Sequence, residues 1–141
     1  MAELKHWWSK DHAIFSHVIL VCHGREDALK VVGEPAWIAG GNLAVLLDQW
    51  GPQSQPKEFL SVGCMTGRAG FAKALSKAAC VRRVVAPYQT VHGSVALSYC
   101  HQYFGSLLLD GVTTKNARNK AARSLPGGSH FVTWTDGKKW K

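Results

Sequence analysis

The sequence lacks the features that mark several large classes of protein. No apolar run approaches the roughly 18 residues that a membrane-spanning helix needs, and the beginning, MAELKHWWSKDH, has no signal-peptide pattern. None of the four cysteines forms a CxxC pair, so the ligand spacing of zinc knuckles is missing. There is no P-loop and no dinucleotide-binding fingerprint. These absences predict a cytoplasmic protein with no membrane contact, no metal site and no cofactor.

Acidic residues are also scarce. The chain has 9 Asp and Glu against 17 Lys and Arg, which gives a formal charge of +8. Such a balance raises the possibility of a nucleic-acid partner. The basic residues are scattered, however, and the cluster at 115–123 has helical spacing with alanines between the charges. A generally basic surface or an acidic partner is therefore favoured over nucleic-acid binding.

The remaining composition is that of an ordinary globular protein. Hydrophobic residues make up 46% and charged residues 18% of the 141 positions, which is enough for one domain with its own core. We predict a single minimal domain over 1–141, with an N-terminal extension at 1–12 and a tail at 137–141. The tail, KKWK at its end, is expected to be frayed.

Strand-like and helix-like segments alternate along the chain. The run AIFSHVILVC (13–22) is nearly continuous and rich in β-branched residues, which predicts a strand covered on both faces. The segment ALKVVGEPAW (28–37) predicts a hairpin that turns at Gly33-Glu34-Pro35. Alternating elements favour an α/β fold with a mainly parallel central sheet and helices on both faces. The other predicted strands are 58–63, 82–87 and 130–135; the predicted helices are 1–10, 42–50 (capped by Asn42), 67–79, 92–110 and 113–125 (capped by Thr113 or Thr114).

Two reactive side chains follow the ends of two predicted strands. His23, followed by Gly24, ends the first strand, and Cys64 ends the second strand in the stretch FLSVGCMTG. In parallel sheets the functional crevice lies beyond the carboxyl ends of the strands. The 41 positions from 23 to 64 are enough for one crossover between neighbouring strands. The pattern predicts a Cys-His dyad, because a cysteine nucleophile needs a base or a cationic neighbour.

Glycines stand beside both members of this predicted dyad. Gly24 follows the histidine and Gly63 precedes the cysteine. A glycine after the histidine lets the backbone come close to a substrate carbonyl. The N–H groups of Gly24 and Cys64 are therefore the candidates for an oxyanion hole.

These motifs together resemble the caspase-like cysteine peptidases (clan CD). An apolar strand ending in HG, followed by one ending in a small residue and Cys, is similar to the two motifs that carry the dyad in that group. FLSVGCMTG, RVVAPYQTV and SVALSYCHQYFGSLLLDGVTTKNARNKAARSL resemble successive parts of its CHAT branch, which includes separase-like proteases. The likeness runs from about residue 14 to 135.

The resemblance implies a three-layer caspase-like sandwich in a short form. It also implies a cysteine endopeptidase that hydrolyses a protein or peptide substrate through an acyl-enzyme intermediate. Cys64 would be the nucleophile and His23 the base or imidazolium partner, while Gly24 and Cys64 would supply the oxyanion hole. No third member is assigned, since a backbone carbonyl often orients the histidine in this family.

The candidates for the substrate pocket are Arg25, Trp37, Val62 and Gly63. Val62 occupies the position where caspases carry glutamine, so the residue accepted before the scissile bond stays open. Trp37 lies between the two dyad strands and is a candidate wall of the pocket. Arg25 either contacts substrate or is simply solvated.

An alternative interpretation starts from the few residues that precede the histidine strand, where a caspase-like sheet has further elements. A second protomer or a partner chain would then complete the sheet. On this view the chain is a catalytically inactive caspase-like module that acts in protein–protein assembly.

Other histidines and cysteines are alternative candidates for the two roles in the dyad. His92, in PYQTVHG, repeats the HG dipeptide after the third strand and is the rival base. His17 lies inside a strand and is interpreted as a structural residue. The default for the remaining cysteines is a free, buried thiol, as expected in a reducing compartment; they are Cys22, Cys80 and Cys100.

Overall fold

The fold is described from a computed structural model, which defines residues 2–11, 13–31, 33–51 and 55–140. Eight strands and four α-helices alternate along these residues, with short π-helical and 3-10 turns between them. In chain order the elements are α1 (Ala2–Asp11), β1 (His17–Leu20), β2 (His23–Gly24), β3 (Ala28–Lys30), β4 (Ile38–Ala39), α2 (Gly40–Trp50), β5 (Lys57–Ser61), a π-helical turn (Ala69–Lys73), β6 (Val81–Pro87), α3 (Gly93–Phe104), a π-helical turn (Gly105–Leu109), α4 (Thr114–Ser124), a 3-10 turn (Gly128–His130), β7 (Phe131–Thr135) and β8 (Lys138–Lys139).

The main sheet has five strands in the order β1-β5-β6-β7-β8. Strands β1, β5 and β6 are parallel, while β7 and β8 are antiparallel to their neighbours. The predicted α/β class is confirmed, but the sheet is mixed and not mainly parallel. Helices α3 and α4 connect β6 to β7. Because these two strands are antiparallel, β7 begins beside the end of β6.

Alternate residues of the central strands feed two hydrophobic cores. Phe59 and Val84 pack with α1, α2 and the 69–73 turn in one cluster. Their sequence neighbours Leu60 and Val85 pack with α3 and α4 in a second cluster. Side chains of a strand point to opposite faces in turn, and helices therefore cover both faces of the sheet, as predicted.

The first strand differs from its prediction in length and in burial. Only His17–Leu20 forms β1, and it pairs with β5 alone because it is the first strand in the sheet order. Ile19 and Val21 are 48% and 72% exposed. The prediction of a strand covered on both faces is therefore wrong, since a continuous apolar run does not reveal which strand lies at an edge.

A small second sheet lies between β1 and α2. Its order is β2-β3-β4, with His23 opposite Lys30 and Ala28 opposite Ala39. The predicted hairpin over 28–37 is confirmed in outline, and Gly33 supplies the positive φ of 86° at its turn. The addition of β2 places His23 and Gly24 just beyond the main sheet.

Two local predictions are wrong and a third is confirmed only in part. The predicted 67–79 helix is a shorter helical segment at 69–75 that begins with the π-helical turn Ala69–Lys73, because Gly67 and Gly70 pack directly against other backbone segments. Helix α2 begins at Gly40 with no side-chain cap, so Asn42 lies inside it. The tail is not frayed at 138–140, since Lys138–Lys139 forms β8 and the Trp140 N–H donates to the Thr133 carbonyl at 2.8 Å.

The helices that the structure describes are all too short or too polar to cross a lipid bilayer. The predicted α4 cap is present, because the Thr113 hydroxyl accepts the Asn116 N–H at 3.3 Å.

Candidate functional site

The turn that follows β5 is held by buried hydrogen bonds. The Thr66 hydroxyl lies 2.8 Å from the Ser61 hydroxyl and donates to the Gly63 carbonyl at 2.7 Å. The carbonyl of Gly67 accepts the indole N–H of Trp134 at 2.7 Å. These contacts explain the small and polar residues after Cys64, because they fix the turn that presents its half-buried side chain.

Within this turn, one backbone amide has no partner among the described residues. The N–H groups of Gly63, Met65 and Thr66 all donate to protein oxygens. Among the described residues, no protein oxygen accepts a hydrogen bond from the Cys64 N–H. Met65 has a φ of 59°, which is uncommon for a residue with a side chain. The turn thus leaves the amide of Cys64 free while its neighbours are bound.

Gly24 lies against the same turn. A Cβ at Gly24 would stand 2.4 Å from the Cys64 carbonyl oxygen and 2.6 Å from the Gly63 carbonyl carbon. The Arg25 N–H bonds the Ala28 carbonyl across the hairpin. Hydrogen-bonded and non-bonded pairs alternate in an antiparallel ladder, so the backbone groups of Gly24 face away from β3.

His23 and Cys64 line one large cavity of about 1370 Å³, together with Gly24, Trp37 and Val62. Strands β1 and β5 are parallel neighbours, as the dyad prediction requires. The side chain of His23 is exposed, and the Cys64 thiol donates to the Val91 carbonyl at 3.6 Å. Both predicted dyad residues therefore reach the same space.

No hydrogen bond joins the His23 ring to the Cys64 thiol within the part of the chain that the structure describes. Catalytic contacts are often long in the absence of substrate and tighten when it binds. In those same residues, no carboxylate or carbonyl is bonded to the His23 ring, so no third member is identified. The catalytic roles stay predictions.

The other three thiols are buried or half-buried, and burial raises the pKa of each above its ordinary value. Burial raises the pKa of Cys80 to about 12 and that of Cys100 to about 11. Burial also raises the pKa of Cys22, and the nearby Cys64 adds to the rise, while hydrogen bonds with Ser61 and the Gly63 backbone oppose it. All four cysteines are free. Cys22 is only half-buried and lines the cavity, because β1 ends before it.

Two of the four predicted pocket residues line the cavity and the other two do not. Trp37 and Val62 line the cavity. Gly63 is buried beneath it, and a Cβ there would lie 3.0 Å from the Cys22 sulfur. Arg25 lies outside the lining, where it pairs with Asp27 at 2.8 Å and stacks over the Trp37 ring at 4.8 Å.

The competing histidines have other contacts. Nδ1 of His92 accepts the Ser94 N–H at 3.3 Å and lies 2.8 Å from its hydroxyl, so the ring caps α3 and is not part of the cavity wall. His17 bonds Ser16 at 2.7 Å and packs edge-on against Phe104, which agrees with a structural role.

Sequence reasoning missed His101 and Cys22 as lining residues. His101 lies one turn after Leu97 on the face of α3 that borders the cavity, a spacing that the sequence does contain. Among the described residues, no group of three His, Cys, Asp or Glu side chains is placed to hold a metal ion. No protein-family model matches the chain, and no curated protein is significantly similar to it in sequence.

Proposed function

We propose that the protein is a cysteine endopeptidase with a caspase-like, three-layer architecture. Cys64 is the nucleophile and His23 its base, and a protein or peptide chain is the substrate. The proposal rests on one observation above the others. Among the residues that the structure describes, the turn after β5 leaves the Cys64 amide without a hydrogen-bond acceptor and places the thiol at the cavity that His23 also lines.

The reaction follows from these groups. His23 takes the thiol proton, and the Cys64 sulfur forms a bond to the scissile carbonyl carbon. The N–H groups of Cys64 and Gly24 stabilise the oxyanion of the tetrahedral intermediate. The C–N bond then breaks as the imidazolium protonates the leaving amine, and water hydrolyses the acyl-enzyme with His23 again acting as base.

Residue preference at the cleavage site follows from the lining. Val62 and Trp37 offer no charged group to a substrate side chain, so a strict requirement for an acidic residue is not expected. A cytosolic location is part of the same proposal, because all four cysteines are free thiols.

The test is labelling with a peptide that carries a thiol-reactive electrophile. We expect the wild-type protein to be modified at Cys64 at neutral pH. The His23→Ala variant should react at least about a hundredfold more slowly, since the base is lost. The Cys64→Ala variant should not react. Equal reaction at several cysteines, or a rate that does not depend on His23, would refute the dyad.

Cys22→Ala is the matched control, because its thiol lines the same cavity but burial raises its pKa. Its labelling rate should equal that of the wild type. A large loss in this variant would assign the nucleophile to Cys22 and not to Cys64.

The second candidate function is that of an inactive caspase-like module that assembles through its sheet edge. It is favoured by the exposed apolar side chains of Ile19 in β1 and of Val21 just after it. Inert Cys64 in a folded protein that self-associates would support this candidate over the first.

A further inference from the structure

The free edge of β1 offers unpaired backbone groups. The carbonyls of Ser16 and Leu20 accept the N–H groups of Glu58 in β5 and of Val62 just after it, at 3.0 and 3.1 Å. Residues of a strand alternate in direction in a parallel ladder, so the N–H and C=O groups of His17 and Ile19 point away from the sheet. No protein partner for them lies among the described residues. The edge is therefore open to another strand.

The side chains along this edge form an apolar groove. His17, Ile19 and Val21 border it on the strand side, while Leu97 and Leu108 border it from α3 and the 105–109 turn. Leu97 is 58% and Leu108 60% exposed. The groove belongs to the same cavity that His23 and Cys64 line. None of the described residues that line this cavity is Asp, Glu, Lys or Arg, although the chain as a whole carries a formal charge of +8.

The opposite edge of the sheet has the reverse character. Strand β8 is two residues long and consists of Lys138 and Lys139, both exposed. Short, lysine-bearing edge strands are a common means of preventing strand addition. The two edges of the main sheet therefore differ, and the apolar β1 edge is the one suited to the addition of another strand.

We propose that the groove beside β1 is occupied by β1 of a second copy of this chain. The groove requires an uncharged, apolar strand, and β1 (HVIL) is itself such a strand. A copy docked through β8 would bring two lysines into the groove, which does not suit it. Because the chain is strongly basic, an uncharged face is also where two copies meet with least repulsion.

The β1 strands of the two copies pair in antiparallel orientation, related by a twofold axis. A twofold axis at Ile19 places the two copies of this residue opposite each other, with His17 opposite Val21 on either side. The backbone groups of His17 and Ile19 face outward, so these residues form hydrogen-bonded pairs of an antiparallel ladder, with Val21, just beyond β1, opposite His17. The same patch serves both copies, and the assembly stops at a dimer with one continuous sheet.

Sedimentation velocity tests this assembly. The wild-type chain should be a dimer at about 100 μM and dissociate on dilution towards about 1 μM. Raising the salt to about 0.5 M should not dissociate it, because the interface carries no charged side chains. Ile19→Lys should raise the dissociation constant at least about tenfold, since it buries a charge in the groove.

Leu108→Lys is a second variant on the other wall, and it keeps the test valid if Ile19→Lys does not fold, as checked by circular dichroism. Val45→Lys is the matched control, because Val45 is 56% exposed on α2 and does not line the groove. It should remain a dimer. Persistence of the dimer in both groove variants, or its loss in Val45→Lys, would overturn the proposal.

Amide hydrogen exchange locates the contact. The amides of His17 and Ile19 should become protected as concentration rises, whereas that of Val18, which faces β5, should not change. A wild-type chain that is monomeric at the highest concentration would assign the groove to a different protein and overturn the inference, as would an open-ended series of oligomers. The groove is part of the cavity that His23 and Cys64 line, so Cys64 labelling is measured at about 1 μM, where the proposed dimer has dissociated. At that concentration either proposal can fail without the other.

Discussion

Glycine at position 24 is required because β2 passes directly over the turn that carries Cys64. In Gly24→Ala the new methyl group would stand 2.4 Å from a backbone oxygen and 2.6 Å from a backbone carbon. Backbone atoms do not yield as a flexible side chain does. We expect the free energy of unfolding to fall by roughly 1–3 kcal/mol, as measured by urea unfolding.

The control for this prediction is Gly41→Ala. Gly41 lies in the first turn of α2, and no atom stands within 4 Å of its added Cβ. Alanine is favoured over glycine in a helix by about 0.5–1 kcal/mol, so this variant should be slightly more stable than the wild type. An unchanged unfolding midpoint in Gly24→Ala would contradict the close contact with the turn.

The buried thiols make the protein sensitive to alkaline pH. In the folded state the pKa of Cys100 is raised by burial to about 11 and that of Cys80 to about 12, from an ordinary value of 9.0. Above pH 9 the unfolded chain therefore releases protons that the folded chain retains. Stability should fall as pH rises, by up to about 1.4 kcal/mol per pH unit for each such thiol.

Urea unfolding between about pH 8 and 10.5 measures this slope. Cys100→Ala removes one of the thiols, and the free energy of unfolding should then fall less steeply with pH by the contribution of that thiol. An equally steep slope in the variant would show that Cys100 does not contribute, and rising stability over this range would refute the explanation.

Individual site residues were predictable where they follow the end of a strand, as His23 and Cys64 do, and in the case of Trp37 where they lie between the two dyad strands. Cys64 and His23 follow apolar runs, so the sequence places them at one edge of a parallel sheet. The entry of Cys22 into the cavity was not predictable, because it depends on β1 ending at Leu20 and not at the end of the apolar run.

At the scale of elements, local patterns predicted α3 and α4 well but gave too long a helix at 67–79, where only 69–75 is helical. The helix-like composition of that segment is overridden by Gly67 and Gly70, which let it pack against the backbones of β6 and of residues 26–27. Such contacts join residues distant in sequence. The exposed state of β1 was missed for the same reason, since burial is set by neighbours that the strand's own residues do not specify.

The start of α4 is an element that its own sequence does specify. Thr113→Ala removes the hydroxyl that accepts the Asn116 N–H, and such caps contribute about 1 kcal/mol. We expect a loss of that size in thermal or urea unfolding. Thr90→Ala is the control and should be neutral, because Thr90 is exposed and forms no hydrogen bond with any residue that the structure describes. Equal effects in the two variants would argue against the cap.

For the whole molecule, a buried carboxylate links the sheet to both helices of one face. Glu58 of β5 accepts a hydrogen bond from the Tyr103 hydroxyl of α3 and one from Thr114 of α4 at 3.5 Å. Nε of Arg83 in β6 lies 3.0 Å from the same carboxylate, in ion-pair contact although its N–H is not aligned as a hydrogen bond. The Trp140 ring lies 5.4 Å from that guanidinium in a cation–π contact, which holds the end of the chain after β8 against β6.

Arg83→Met should therefore destabilise the whole fold. It leaves the Glu58 carboxylate, which is only 5% exposed, without its counter-charge, and breaking a buried pair in this way costs about 3–5 kcal/mol. Glu58→Gln combined with Arg83→Met removes both charges and should recover much of the loss in urea unfolding. Lys120→Met, which breaks an exposed ion pair with Asp110, should have far less effect. If Arg83→Met is as mild as Lys120→Met, or if the double variant is no more stable than Arg83→Met, the ion pair between β5 and β6 does not stabilise the fold.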